Sequence, residues 1–359
     1  VLIDREHDLI YFMASPENAT ESYLYKTLIN GDGTASRVTP QGLKGTNTYE
    51  ISPDGNFAYH GFSSIDIYPT GEWLVMENQI PFDDKNSIAK SYKKVDSSST
   101  SFFKVIVDDS VMLDAWITKP ENFDSTKKYP VVFSVYTEPA SSTVINEFGG
   151  PNNFLYNGDL SAEGYFQISV DNRGTPSLRG TKWRKAIYKH VGQVNIRDQA
   201  MAAKKILDKA WFDKDRVAVW GWSGGGSATL NLLFQYPQIY KTGIAIAPVT
   251  NLLYYDNIYT ERYSGLSQED MQPYIKGSPI TYAKNLKGNL LLVHGTGDDN
   301  VHYSNAEALI NELVKYDKTF QVMPYPNRTH SISEGEGTRE HLSNLYTSYL
   351  KQYCPGGAR

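Results

Sequence analysis

From residue 102 onward, short continuous apolar runs alternate with stretches where apolar residues recur every three or four positions. The runs at 129–136, 165–171, 216–220, 243–247, 290–294 and 320–325 predict strands buried on both faces. Between them the spacing turns helical. Over 193–210, Ile196, Ala200, Ala203, Leu207 and Ala210 share one face, and residues 338–353 predict a last helix. Two runs at 103–107 and 111–117 predict an antiparallel hairpin turning at Asp108-Asp109-Ser110. Strands alternating with helices imply an α/β fold over 102–359, built on a mostly parallel sheet covered on both faces.

The first eighty residues carry a different pattern. Short strand-like runs at 9–14, 22–26, 36–39, 49–51 and 57–60 are split by turn clusters, the strongest being Ser52-Pro53-Asp54-Gly55-Asn56. Four short strands in about 45 residues fit one blade of a β-propeller; a small β-rich accessory domain is the other reading. One blade cannot close a ring, and the chain begins at Val1 without an initiator methionine. The expectation is therefore a C-terminal portion of a longer chain, with further propeller preceding it. Residues 81–101, polar and rich in Ser and Lys, are expected to link the segment 1–80 to the segment 102–359.

Composition narrows the function classes. A net charge of −5 without a dense Lys/Arg stripe argues against a nucleic-acid surface. No apolar run approaches the roughly 18 residues that span a bilayer. The single cysteine, Cys354, excludes an internal disulfide, and no histidine follows it to make it a nucleophile. The Gly-containing loop Asp171-Asn172-Arg173-Gly174-Thr175 lacks the pattern of a dinucleotide site. Neither a cofactor nor a metal is called for.

The chemistry is concentrated at Gly221-Trp222-Ser223-Gly224-Gly225, a G-x-S-x-G pattern between a predicted strand (217–220) and a helix-compatible run (227–235). A serine at such a strand-to-helix turn sits in a strained backbone conformation, and the glycines let strand and helix approach closely. The helix N-terminus adds backbone N–H groups where negative charge develops on an attacked carbonyl. Serine needs a general base, and the base needs an orienting acid.

Both occur later in the chain at strand ends, in the order serine, acid, histidine. Asp298 lies in the turn after the strand ending at His294, and His330 lies in the loop after the strand ending at Tyr325. The neighbouring Asp299 is the competing acid, with helix capping or ion pairing as its other use. Of the other histidines, His7, His60 and His190 precede the serine, and His294 ends the acid-bearing strand itself. His302 is too local to Asp298, and His341 falls on the last helix.

These residues resemble the catalytic end of the dipeptidyl peptidase IV-type enzymes, within the prolyl oligopeptidase group of α/β-hydrolases. Four blocks carry the likeness: the Gly221–Gly226 turn, Ala247-Pro248-Val249, the Tyr-Tyr-Asp-Asn-Ile-Tyr-Thr-Glu-Arg-Tyr run at 254–263, and the His-Gly-Thr-Gly-Asp-Asp-Asn-Val-His run at 294–302. The resemblance covers roughly residues 100 to 353. It implies an α/β-hydrolase fold with Ser223, Asp298 and His330 as the triad. Tyr136 and the backbone N–H of Gly224 match the oxyanion donors; read alone, Tyr136 is a core or rim tyrosine.

Val249, Tyr255, Tyr259 and Val301 match the small apolar pocket for the residue before the cut bond, and Asn300 a hydrogen-bond donor to the substrate carbonyl. By spacing alone, Tyr255 and Tyr259 form an i, i+4 pair on one helix face, which usually means core packing. Gly224 stands where the family commonly has a pocket tyrosine, and Leu252 where a tryptophan is expected. Both changes open the pocket and loosen a preference for proline towards alanine.

The function so implied is release of N-terminal dipeptides after Pro or Ala through an acyl-enzyme. An endopeptidase, acyl-aminopeptidase or esterase on the same fold, or a non-catalytic interaction platform, are the alternatives. A peptide substrate, a homodimer and a periplasmic or extracytoplasmic setting are likewise what the resemblance implies.

Overall fold

The computed structural model describes residues 2–359 except 84, 98, 108 and 109. The chain forms two units; residues up to 98, with 144–152 and 177–180, make the first, and the remainder makes the second.

In the first unit eight strands form two antiparallel four-stranded sheets. One contains β1 (Leu2–Asp4), β2 (Leu9–Ala14), β3 (Tyr23–Leu28) and β4 (Ser36–Arg37). The other contains β5 (Thr46–Ile51), β6 (Phe57–Ser64), β7 (Ile67–Val75) and β8 (Ile80–Pro81). The sequence reading expects about one blade and ends its strands at His60. It misses β7 because Pro69 and Gly71 lie inside that strand. Pro69 is tolerated because the β6–β7 register slips there, Phe62 facing Thr70 while Ser64 faces Ile67; proline in a sheet is confined to edges and bulges.

Tyr11, Leu24, Ala58, Leu74 and Met76 form the core of this unit. Of the expected linker, residues up to 97 belong to this unit, while its last residues, from Thr100, are already in the first strand of the second unit. The linker contains α1 (Ile88–Ser91), whose Ile88 packs with Leu43, Phe62 and Ile67, and Lys94 pairs with Asp66 at 3.0 Å.

The second unit is built on an eight-stranded sheet. β9 (Thr100–Ile106) and β10 (Met112–Thr118) pair antiparallel as expected; Asp108 and Asp109 of their turn lie outside the described residues. Next come β11 (Tyr129–Ser134), β12 (Phe166–Asp171), α2 (Thr181–Lys185), α3 (Val194–Ile206), β13 (Phe212–Trp222), α4 (Gly224–Gln235) and β14 (Thr242–Ile246). After these follow α5 (Asn257–Ser264), α6 (Gln272–Gly277), β15 (Asn289–Gly295), α7 (Ser304–Lys315), β16 (Gln321–Tyr325) and α8 (Thr338–Tyr353).

The strand order is β9-β10-β12-β11-β13-β14-β15-β16, and every pair from β12 to β16 is parallel. This is the expected α/β-hydrolase arrangement. Helix α3 stops at Ile206, four residues short of the predicted end, and Ala210 is exposed.

Strand β16, expected to be buried on both faces, is the edge strand and buries only Tyr325. The parallel strands β11 to β15 are largely buried, so their two faces make two cores. One gathers Val131, Phe133, Val217 and Val219 against Leu230 and Leu233 of α4. The other gathers Val132, Ala218 and Ile244 against Tyr346 and Leu350 of α8. The C-terminal tail is fastened by Arg216, which is 4% exposed. Its Nε donates to Asp213 at 2.7 Å, and its Nη1 donates to the carbonyls of Pro355 and Gly357 at 2.8 and 2.9 Å.

Burial pushes the Asp213 carboxyl up, but the Arg216 hydrogen bond and the Asp215 amide outweigh it and hold the carboxyl below its usual range. A carboxyl lowered on folding stabilises the fold above its unfolded-state pKa, and that support is lost as the pH falls through the lowered value. Replacing Arg216 by Ala removes the main partner of a largely buried carboxylate and leaves it the Asp215 amide and Arg359 at 3.9 Å. The expected cost is about 3–5 kcal/mol of unfolding free energy at neutral pH, shrinking as Asp213 is protonated in acid; denaturant titration at both pH values checks it.

Candidate active site

Ser223 stands between the last residue of β13 and the first of α4, with φ 58° and ψ −120°. That backbone region is costly for a residue with a Cβ and persists only where the surroundings enforce it. They do so here from both sides. The Ser223 N–H donates to the carbonyl of Ile246 at the end of β14 (2.8 Å), and its carbonyl accepts from the Ser227 N–H (3.0 Å). On the other side the carbonyl of Val135, just past β11, leaves no room for a Cβ on Gly221 or Gly225. The helix therefore begins at Gly224, three residues earlier than the apolar spacing suggested.

Asp298 and His330 come from the loops after β15 and β16. His330 Nδ1 lies 2.7 Å from Asp298 Oδ2. With a carboxylate accepting at Nδ1–H, the neutral ring keeps its lone pair on Nε2, the tautomer a general base requires. Asp298 Oδ1 accepts from the backbone N–H groups of Asn300 (3.0 Å) and Val301 (2.8 Å).

Burial opposes its charge, yet the hydrogen bonds from His294 and His330, with the Val301 amide, hold the carboxyl well below the usual carboxylate range. Asp298 stays ionised throughout the neutral range. Asp299 is exposed, which separates the two carboxylates in a way their adjacent positions could not. Trp222, next to the serine, donates its Nε1–H to the His330 carbonyl at 3.0 Å and ties the histidine loop to the serine turn.

His294, weighed by sequence only as a competing base, is fully buried with Nε2 3.2 Å from Asp298 Oδ2 and 2.8 Å from the Val301 carbonyl. It is a positioning residue for the acid. The only signal was its place four residues before Asp298.

Tyr136, Ser223, Gly224, Val249, Tyr255 and Tyr259 all line one cavity of about 90 Å³, together with Leu252. Burial, then the nearby Glu138 carboxyl, pushes the Tyr136 phenol above its ordinary range, so it remains a hydroxyl donor. Asn300 and Val301 do not line this cavity. Val301 packs behind it with Val249, Leu252 and Tyr274, and Asn300 is exposed, its Oδ1 accepting from the Tyr255 hydroxyl at 3.1 Å.

The helical pairing of Tyr255 with Tyr259 needs correction. Asp256 is the N-cap of α5, accepting from the Tyr259 N–H at 2.8 Å, so Tyr255 precedes the helix. The rings still meet edge to face, 5.4 Å between centroids.

Glu138 lines the same cavity and drew no role from the sequence. The residue keeps some exposed surface, but its Oε2 is buried without a hydrogen-bond partner, and burial pushes the carboxyl up to about 8.

This arrangement can run acyl transfer: a nucleophile at a helix N-terminus, a base oriented by a carboxylate, and an acid held ionised at neutral pH. Asp298→Asn is expected to lower kcat by about 10⁴-fold by favouring the wrong tautomer. Asp299→Asn should stay near the parent. Steady-state kinetics on both, with circular dichroism to confirm folding, decides between them; the reverse result would move the acid to Asp299.

Comparison with known proteins places the chain independently of these distances. The model of the prolyl oligopeptidase family matches residues 154–356. A probable dipeptidyl-aminopeptidase B of Trichophyton verrucosum is 33% identical over 347 residues, covering 92% of this chain and 37% of that protein. Prolyl endopeptidase FAP of Mus musculus is 37% identical over 238 residues, covering 65% of this chain and 30% of that one. The crystal structure of Porphyromonas gingivalis dipeptidyl peptidase 4 superposes with a TM-score of 0.83 at 29% identity, over 96% of this chain and 48% of the other. The chain thus spans less than half the length of each. With the family model covering more than half of its residues, the chain belongs to the prolyl oligopeptidase family of serine hydrolases.

Proposed function

We propose that the protein is a serine peptidase of dipeptidyl peptidase IV type, releasing N-terminal dipeptides after proline or alanine. The observation that carries this reading is the 2.7 Å contact between His330 Nδ1 and a buried Asp298, with the His330 carbonyl accepting from Trp222, the residue before the strained Ser223. Ser223 Oγ attacks the scissile carbonyl while His330 Nε2 takes its proton. The charge developing on the carbonyl oxygen is met by the Gly224 N–H at the start of α4 and the Tyr136 hydroxyl. As the C–N bond breaks, His330 returns the proton to the leaving amine, leaving an ester on Ser223. Water, deprotonated by the same imidazole, then frees the enzyme.

The cavity beside Ser223 takes the side chain before the cut bond. Tyr255, Tyr259 and Val249 give it compact apolar walls that suit a rigid ring or a methyl group. Endopeptidase action is the second reading, favoured by the likeness to a mouse protein named as a prolyl endopeptidase.

Ser223→Ala should abolish turnover, and Tyr136→Phe should lower kcat roughly 100- to 1000-fold. Equal turnover of Tyr136→Phe and parent would remove the phenol from the mechanism. Hydrolysis of a Gly-Pro anilide in preference to its N-acylated twin is the expected outcome; preference for the blocked substrate would turn the assignment to an endopeptidase or acyl-peptide hydrolase.

A further inference from the structure

Glu138 is the one acidic side chain among the described residues lining the cavity beside Ser223, and no lysine, arginine or histidine lines it with Glu138. Its position is enforced. The preceding residue, Thr137, has φ 68°, a conformation that a β-branched residue seldom adopts. Two buried asparagines hold it there: Asn172 Nδ2 donates to the Thr137 carbonyl at 3.0 Å, and Asn195 Nδ2 donates to Thr137 Oγ1 at 3.1 Å.

The glutamate stem then passes over Gly224, so closely that a Cβ there would strike Glu138 Cγ. Glu138 thus supplies pocket wall at the place where residue 224 has no side chain.

The polar atoms of this wall are unfinished. Glu138 Oε2 and Asn195 Oδ1 are buried without hydrogen-bond partners, and so is the Tyr259 hydroxyl. Asn195 as a whole is 1% exposed. Buried polar atoms are nearly always paired, and exceptions call for an explanation, a missing ligand among them. The residues that carry these two acceptors and this phenol all line one small space, a set complementary to a group rich in donors. An ammonium carries three donors and no acceptor, and it restores the charge that burial otherwise denies to the carboxyl.

Resting on the peptidase reading above, we infer that Glu138 widens the specificity of this pocket to residues with a short amine-bearing side chain before the cut bond. Glu138 and Asn195 accept hydrogen bonds from the ammonium, and the aromatic walls of Tyr255 and Tyr259 pack its methylenes. The cavity volume of about 90 Å³ limits the chain to a few atoms.

The test compares two substrates of the same shape, the anilides of Ala-2,4-diaminobutyrate and Ala-norvaline, in which an ammonium replaces a methyl. The parent is expected to favour the diaminobutyrate substrate in kcat/KM by about 10-fold or more, and Glu138→Gln to bring the ratio towards parity. Equal use of the two by the parent, or a ratio that Glu138→Gln leaves unchanged, overturns the inference. Calorimetry of the free dipeptides on Ser223→Ala protein separates this result from failure of the peptidase reading. Tighter binding of Ala-diaminobutyrate supports the pocket even where neither anilide is cleaved; equal or undetectable binding overturns it. Labelling of Ser223 by a fluorophosphonate reports on the hydrolase chemistry alone.

Discussion

The active end of this protein depends on one backbone constraint, the approach of the β13–α4 turn to the carbonyl of Val135 without space for a Cβ. Ser223 keeps φ 58° because its N–H is captured by Ile246 while Gly221 and Gly225 are pressed against the neighbouring backbone. The parallel strands on either side are buried on both faces and cannot shift to relieve the turn. Such strain is sustained by the packing of the whole sheet. Because β11, β13, β14, β15 and β16 run parallel, their following loops emerge at one edge. Tyr136, Ser223, Val249, Asp298 and His330 all sit on those loops.

The electrostatics follow from the same edge. A buried carboxylate is costly unless it is hydrogen-bonded, and Asp298 receives four donors: two backbone amides, His330 and His294. Of the two histidines, His330 is the one whose backbone carbonyl accepts from Trp222, the residue before the serine. The second histidine, with the amides, keeps the charge in place, so the acid orients the imidazole without surrendering its own ionisation. Fixing the acid and fixing the base are separate tasks, given to different residues.

What was legible in the sequence tracks how local each cause is. The serine turn was readable because its steric demand is met by glycines within two residues. The strands and the last helix were readable from apolar spacing, and α8 spans the expected residues. Local rules failed where the partner is distant. His294 looked like a rival base because nothing in its own segment reveals that Val301 and Asp298 fold back onto it. Tyr255 mimicked a helical residue because the spacing of four does not register the Asp256 cap. In β7, Pro69 and Gly71 resemble a turn until the register slip opposite them is known. Asp298 and Asp299 are equivalent as letters and differ only in burial.

Glu138 is the extreme of this series, because its meaning lies in a side chain that another residue lacks. A Cβ at 224 and the present path of Glu138 cannot coexist. With Glu138 on this path, the wall beside residue 224 comes from the loop after β11 and not from the helix start. A larger residue at 224 would require Glu138 to leave its present path. Positions 138 and 224 are therefore coupled sterically, and the wall that Glu138 adds is polar while the backbone that strains Ser223 is held by other contacts.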